Sequence, residues 1–327
     1  MAAIVVEQLS KSYLVAVKEP GFQGTLSHFF RRTYRPIKAV QEVTFQIAPG
    51  EVVGFLGANG AGKTTTLKML TGLIHPSAGS VNVTGYVPFQ RKIGFLKTIT
   101  LVMGQKQQLI WDLPALDSLR INAAVYGIGD REFKQRVDDL TEMLSLQGKL
   151  TQPVRKLSLG ERMKAEFLAA LLHHPQVLFL DEPTLGLDVN AQVSVREFLR
   201  QYNQRYQATV LLTSHYMADI TALCQRVLVI HQGQLIYDGS LEGLVDRFSP
   251  CRSVTIELAR PYPAEKLALY ADVEEATGQL IKFLVRQEDL THTVAKILSE
   301  LEVIDLAVTE PPIEAVIGRV LKAGVIT

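Results

Sequence analysis

Eight residues, Gly57-Ala58-Asn59-Gly60-Ala61-Gly62-Lys63-Thr64, constrain this chain more than any others in it. They follow an apolar, β-branched run over 52–56 and open a segment, 63–73, with helical spacing. A strand, a glycine loop and a helix in that order put the loop at the end of a buried strand. Without side chains, successive backbone N–H groups can turn inward around the oxygens of an anion. The helix that follows presents its positive end to the same anion. The pattern G-x-x-x-x-G-K-[ST] makes that anion the phosphate chain of a nucleotide. Lys63 is then expected to reach the β- and γ-phosphates, and Thr65 to lie near the α-phosphate. The Thr64 hydroxyl is expected to take a position on Mg²⁺, which prefers oxygen ligands.

A second pattern complements the first. Residues 177–180, Val-Leu-Phe-Leu, read as a buried strand that delivers Asp181 and Glu182 at its end. Asp181 is placed to hold Mg²⁺, and Glu182, on the other face, to polarise an attacking water. Composition narrows the setting. A length of 327 residues calls for a large domain and a smaller one. A net charge of +1 offers no global field for nucleic acid. The two cysteines, Cys224 and Cys251, make neither a disulfide framework nor a zinc motif, so a reducing compartment is expected. The N-terminus lacks a basic stretch ahead of an apolar core, and no run of about 18 uncharged apolar residues occurs. The chain is therefore expected to act on a membrane only through other subunits.

Periodicity supplies the frame. Residues 4–9, 43–48 and 51–56 read as strands, 116–172 as mostly helical, and 177–180 and 209–212 as strands of a mostly parallel sheet. Gln232-Gly233 sits between two strands as a hairpin turn. After Phe248-Ser249-Pro250 the order becomes β-α-β-β-α-β, which predicts a small ferredoxin-like domain with a last helix from about Ile313.

Five further elements give the chain a family resemblance. Leu157-Ser158-Leu159-Gly160-Glu161 resembles the LSGGQ signature of ABC ATPases, Gly186-Leu187-Asp188 the D-loop, and Thr213-Ser214-His215 the switch-histidine loop. Gln105 falls where that family has its Q-loop glutamine, and Tyr13 where it stacks an aromatic ring on adenine. The resemblance runs over roughly residues 2–240. It implies a P-loop ATPase fold of class α/β with a helical signature subdomain, about 105–172, inside an ATPase domain of 1–245. Residues 246–327 would then form an accessory or regulatory domain. It also implies two ATP-binding subunits, as homodimer or heterodimer, packed head to tail with Mg-ATP between them. Ser158, Gly160 and Asp188 would act across that interface, Gln105 at Mg²⁺, and His215 at the γ-phosphate beside Glu182. The partners implied are permease subunits at the cytoplasmic face of the plasma membrane, with export favoured over import. The other readings are a soluble ABC ATPase uncoupled from transport and a regulatory subunit that does not hydrolyse ATP.

The sequence departs from the family pattern at Leu159, in place of a glycine, and at Glu161, in place of a glutamine. An insertion, about 15–38, places Phe22, Leu26, Phe29, Phe30 and Tyr34 at helical spacing, with Arg31, Arg32, Arg35 and Lys38 nearby. It is expected to be a basic amphipathic helix, lying either on headgroups or the permease or on the protein's own sheet. Trp111-Asp112-Leu113-Pro114 follows the Q-loop, where the family receives its permease.

Overall fold

The glycine loop and the paired acids, far apart in sequence, meet because of the order in which strands enter one sheet. The computed structural model describes residues 2–17, 33–104, 108–248 and 251–309. It divides into two units, Met1–Gly239 and Ser240–Thr327. In the first unit β1 is Ile4–Val17, β2 Thr33–Ile47, β3 Val52–Leu56 and β4 Ala78–Val83, with helix α1, Lys63–Leu70, between the last two. A short helix α2, Ile93–Thr98, leads to β5, Ile99–Met103. Helices α3, Ala115–Tyr126, α4, Asp130–Leu144, and α5, Leu159–Leu171, fill the stretch expected to be helical. Then come β6, Val177–Asp181, α6, Val189–Tyr206, β7, Thr209–Thr213, α7, Met217–Leu223, β8, Arg226–His231, and β9, Gln234–Ser240.

The main sheet has the order β5-β6-β7-β3-β8-β9, and its first five strands pair in parallel. β6, β7 and β3 are neighbours, so their carboxyl ends bring Asp181, Thr213 and the glycine loop to one edge, where α/β sheets bind ligands. Both faces of these strands are covered, which explains their unbroken apolar runs. All four apolar residues of β6 are buried, Phe179 among the largest of them. Phe179→Ala is expected to lower unfolding free energy by about 3–5 kcal/mol, read from denaturant titration. A loss under about 1 kcal/mol would mean that the site-bearing edge does not rest on this packing.

A second, antiparallel sheet of order β2-β1-β4 covers the start of the chain. Ile4, Val6 and Leu9 on β1 face Val40, Val43, Phe45 and Ile47 on β2 in one shared core. β1 and β2 run on past that core, pairing Tyr13 with Ile37, Ala16 with Tyr34 and Val17 with Thr33. This corrects the expected helix over the insertion. Tyr34, Arg35 and Lys38 are strand residues, because cross-strand pairing overrides a local three-and-four spacing. Phe22, Leu26, Phe29, Phe30, Arg31 and Arg32 lie outside the described residues. Gln232 and Gly233 both have positive φ, 48° and 82°, the geometry of a two-residue hairpin turn. Cys224 is buried just after α7, and burial pushes its thiol pKa far up. Among the described residues no helix is long and apolar enough to cross a membrane.

The second unit opens with α8, Leu241–Phe248, followed by β10, Cys251–Leu258, and α9, Ala264–Leu267. Then come β11, Asp272–Thr277, β12, Leu280–Arg286, α10, Leu290–Glu300, and β13, Val303–Thr309. Its sheet has the order β11-β12-β10-β13, antiparallel throughout. β12 therefore separates β10 from β11, as in a split β-α-β unit of the ferredoxin-like kind. Val254, Ile256, Ile281, Phe283 and Val285 form its core with Ile297 of α10. The helix expected from about Ile313 lies outside the described residues.

Candidate nucleotide site

The loop after β3 owes its shape to glycine at two places. Gly62 has φ +113°, and a Cβ there would fall 2.5 Å from the Ala39 carbonyl oxygen on β2. Gly60 has φ +80° in open space, so backbone conformation rather than room demands glycine. Ala58, Asn59 and Gly60 are exposed, whereas Ala61 and Gly62 are buried against the sheet. Lys63, only 7% exposed, curls back so that Nζ donates to the carbonyls of Gly57 at 2.6 Å and Ala58 at 3.1 Å. Its ammonium thus lies along the loop. Burial pushes its pKa down, and the carboxylates of Glu182 and Asp181 pull it back up. Thr65 is half-buried on the first turn of α1, and Thr66 locks that turn by donating from Oγ1 to the Gly62 carbonyl at 3.0 Å.

Two hydroxyls converge on the acid at the end of β6. Thr64 Oγ1 donates to Asp181 Oδ2 at 3.2 Å, and Thr213 Oγ1 donates to Asp181 Oδ1 at 2.7 Å. The Glu182 N–H reaches the Thr213 carbonyl at 3.0 Å and its Oγ1 at 3.2 Å. Glu182 has φ +53°, a left-handed conformation that costs a non-glycine residue energy and turns its side chain off the strand's line. Glu182 Oε1 lies 2.8 Å from His215 Nε2. The histidine loop is held from behind. Ser214 Oγ donates to Asp219 Oδ2 at 2.7 Å and accepts from the Tyr216 N–H at 3.0 Å, while Arg196 Nε pairs with Asp219 Oδ1 at 3.2 Å. Lys63, Thr64, Asp181, Glu182 and His215 are therefore one interacting cluster. Thr213 and Asp219 belong to it too; the sequence offers Thr213 only as a member of the switch-histidine match, and does not single out Asp219. The available signal was a hydroxyl two residues before His215 and an acid four residues after it.

A second cluster holds the signature residues. Ser158 caps α5: its Oγ accepts from the Glu161 N–H at 3.2 Å, and Glu161 Oε2 accepts from the Ser158 N–H at 2.9 Å. This reciprocal cap explains the glutamate in place of glutamine, since a negative charge suits a helix N-terminus. Lys149, 2.9 Å from Glu161 Oε1, and the Ser158 N–H hold that carboxyl below its usual range. Asp188 caps α6 by accepting from the Ala191 N–H at 2.9 Å. A Cβ on Gly160 would fall 3.0 Å from the Ala191 side chain, so the two capped helix ends touch. Leu159 stands 48% exposed beside them. Tyr13, 36% exposed on β1, has the Lys11 ammonium 5.3 Å from its ring centre. Gln105 lies outside the described residues.

Comparison with known proteins agrees with this geometry. The ABC transporter family profile matches residues 40–185. The ABC transporter ATP-binding protein NatA of Bacillus subtilis (strain 168) is 37% identical over 220 residues, covering 67% of this chain and 89% of its own. The chain belongs to the ATP-binding proteins of ABC transporters. This ABC protein is also 36% identical over 245 residues to the Nod factor export ATP-binding protein I of Burkholderia thailandensis, which covers 74% of this chain and 79% of the relative. It is 34% identical over 216 residues to the bacitracin transport ATP-binding protein BcrA of Bacillus licheniformis, covering 66% and 69% respectively. A solved structure of an ATP-binding subunit of an ABC transporter superposes with a TM-score of 0.60 at 25% identity, covering 75% of this chain and 93% of that one. The EvrA-like ABC transporter C-terminal domain profile matches residues 250–309, within the second unit of the ABC protein. Membership makes it an ATPase.

Proposed function

We propose that this ATPase drives export through a separate permease, hydrolysing Mg-ATP held between its own glycine loop and the Ser158–Gly160 segment of a second ATP-binding chain, identical or sister. The observation that carries the reading is the convergence of Thr64 and Thr213 on Asp181, with Lys63 on one side and the Glu182–His215 pair on the other. Thr64 and Asp181 offer hard oxygen donors, which suit Mg²⁺. Among the described residues no group of three or more His, Cys, Asp or Glu side chains would hold a metal alone. That fits an ion carried in by nucleotide phosphates and completed by few protein ligands. When bound, Mg²⁺ would supply positive charge that offsets the charge of the nucleotide phosphates.

The chain's own residues do the rest. Lys63 and the loop amides bind the phosphates, and Tyr13 faces the adenine. A γ-phosphate that accepts the His215 Nε2 proton takes that nitrogen from Glu182 and leaves the Glu182 carboxylate to orient the attacking water. Ser158 and Gly160, at the positive end of α5, close the far side of the γ-phosphate, and Asp188 lies at the same seam. Gln105 would complete the Mg²⁺ shell.

The permease surface is the groove between α2 and the end of α3. A cavity of about 410 Å³ opens there, lined by Leu73, Ile93, Leu96, Val125, Tyr126 and Gln108. Trp111, 42% exposed and three residues along the chain from Gln108, is a ready anchor. As the ATP-binding partner of a permease, the chain sits peripherally on the cytoplasmic face of the membrane. Export is favoured because relatives are named for export. Residues 1–245 then serve as motor and 246–327 as an accessory or regulatory domain. To test the reading, the tagged chain is purified from detergent-solubilised membranes of its own cells. It is expected to retain an integral membrane subunit and Mg²⁺-dependent ATPase activity. Trp111→Glu is expected to lose that subunit at unchanged thermal stability. Retention of the subunit by the variant, or ATPase activity indifferent to Mg²⁺, would refute it.

A further inference from the structure

One buried charge has no part in the chemistry above. Glu166 lies on α5, 5% exposed, and burial pushes its carboxyl pKa up. Its two oxygens are spent separately: Oε2 accepts from the Gln108 N–H at 2.7 Å and Oε1 from the Leu109 N–H at 3.3 Å. One turn earlier on the same helix face, the Arg162 guanidinium carbon stands 5.1 Å from the centre of the Trp111 ring. The segment 108–113 is thus held by α5 at Gln108–Leu109 and at Trp111. Other parts of the helical subdomain hold it too: the Ile110 N–H donates to Ser118 Oγ at 3.0 Å, the Trp111 carbonyl accepts from the Arg155 N–H at 3.1 Å, the Leu113 carbonyl accepts from the Val154 N–H at 3.0 Å, and Asp112 pairs with Arg155 at 3.5 Å.

The first residue of that helix system is Ser158, the cap that faces the second chain's nucleotide in the reading above. Glu166 follows it by eight residues, about 12 Å along a helix axis at 1.5 Å per residue. A straight, capped helix of this length moves as a unit. A carboxylate is suited to such a tie, since each oxygen takes one amide, whereas a glutamine offers a single acceptor oxygen. We propose that Glu166, supported by Arg162, is a positioning residue that fastens segment 108–113 to α5, so that the permease-facing surface and the Ser158 cap shift together. The proposal rests on the reading that Ser158 meets the γ-phosphate of a second chain.

Trp111 is the single tryptophan of the chain and so reports on this tie directly. Full-length protein carrying Glu182→Gln is titrated with Mg-ATP while Trp111 emission is followed and nucleotide affinity is measured calorimetrically. Emission is expected to change on ATP binding. Adding Glu166→Ala is expected to reduce that change at least twofold while ATP affinity stays within twofold. In the otherwise unaltered chain, Glu166→Ala is expected to lower kcat about tenfold at near-constant KM. Should the alanine variant fail to fold, Glu166→Gln, which keeps one acceptor, is expected to reduce both the emission change and kcat at least twofold. A full emission response with unaltered kcat in the Glu166 variants overturns the proposal and leaves the function standing. ATP binding with no emission change even when Glu166 is present likewise overturns the proposal alone, whereas absence of Mg-ATP binding overturns both.

Discussion

Glu182→Gln is expected to slow steady-state ATP hydrolysis by about 10²–10⁴-fold, the range a positioned proton acceptor supplies, with ATP affinity changed by no more than a few-fold. The glutamine keeps the size of the side chain and one acceptor for His215 Nε2, so the local structure survives. It removes the negative charge proposed to orient and polarise water. The left-handed backbone at this position, φ +53°, fixes where that charge sits, and the Glu182 N–H is already held by Thr213. With hydrolysis blocked and binding intact, the substituted protein should accumulate ATP-bound dimers, visible by size-exclusion chromatography with Mg-ATP. Turnover within tenfold of the unaltered protein would remove Glu182 from its role and revive the reading of a subunit that does not itself hydrolyse ATP.

Lys63→Ala is expected to act earlier, on binding. A charge-assisted hydrogen bond contributes about 1.5–3 kcal/mol, so ATP affinity should fall about 10–150-fold. Turnover should fall further, by about 10²–10³-fold, if the same ammonium, as proposed, stabilises charge that grows in the transition state. Calorimetric titration with Mg-ATP and a steady-state assay check the two figures. The alanine also leaves the Gly57 and Ala58 carbonyls without their ammonium partner, so the loop loses a tie as well as a charge. Burial lowers the pKa of Lys63, which means its proton is lost at a less alkaline pH than that of an ordinary lysine. ATP affinity should therefore weaken as pH climbs through the alkaline range, and that slope should vanish in the alanine variant. Unchanged affinity in Lys63→Ala would undo the assignment of the loop.

Much of this site was legible because its parts are local. The glycine loop and the Asp181-Glu182 pair each declare a strand end within a few residues, and the hairpin at Gln232-Gly233 and the order of the second unit follow from short-range patterns. What escaped was nonlocal or ambiguous. β4 and β5 were not read: Ala78–Val83 mixes small and polar residues, and Ile99–Met103 adjoins a helix with a similar apolar run. Tyr34 was misplaced because its partner Ala16 lies across a hairpin whose pairing no helical spacing reveals. Thr213 entered only as part of a resemblance, although its hydroxyl bridges both acids. The glutamate at 161 looked like a departure from pattern until the cap it completes with Ser158 gave it a physical reason.

The contrast between the two thiols has a practical outcome. Cys224 is buried at the end of α7 with its pKa raised, whereas Cys251, at the first position of β10, is half-buried. A maleimide needs a thiolate it can reach, so labelling should fall on the second unit alone, with no cysteine engineered away. A spin label at that one point on each of two chains would turn assembly into an interspin distance, which stepwise addition of ATP, vanadate and ADP would follow through a full turnover.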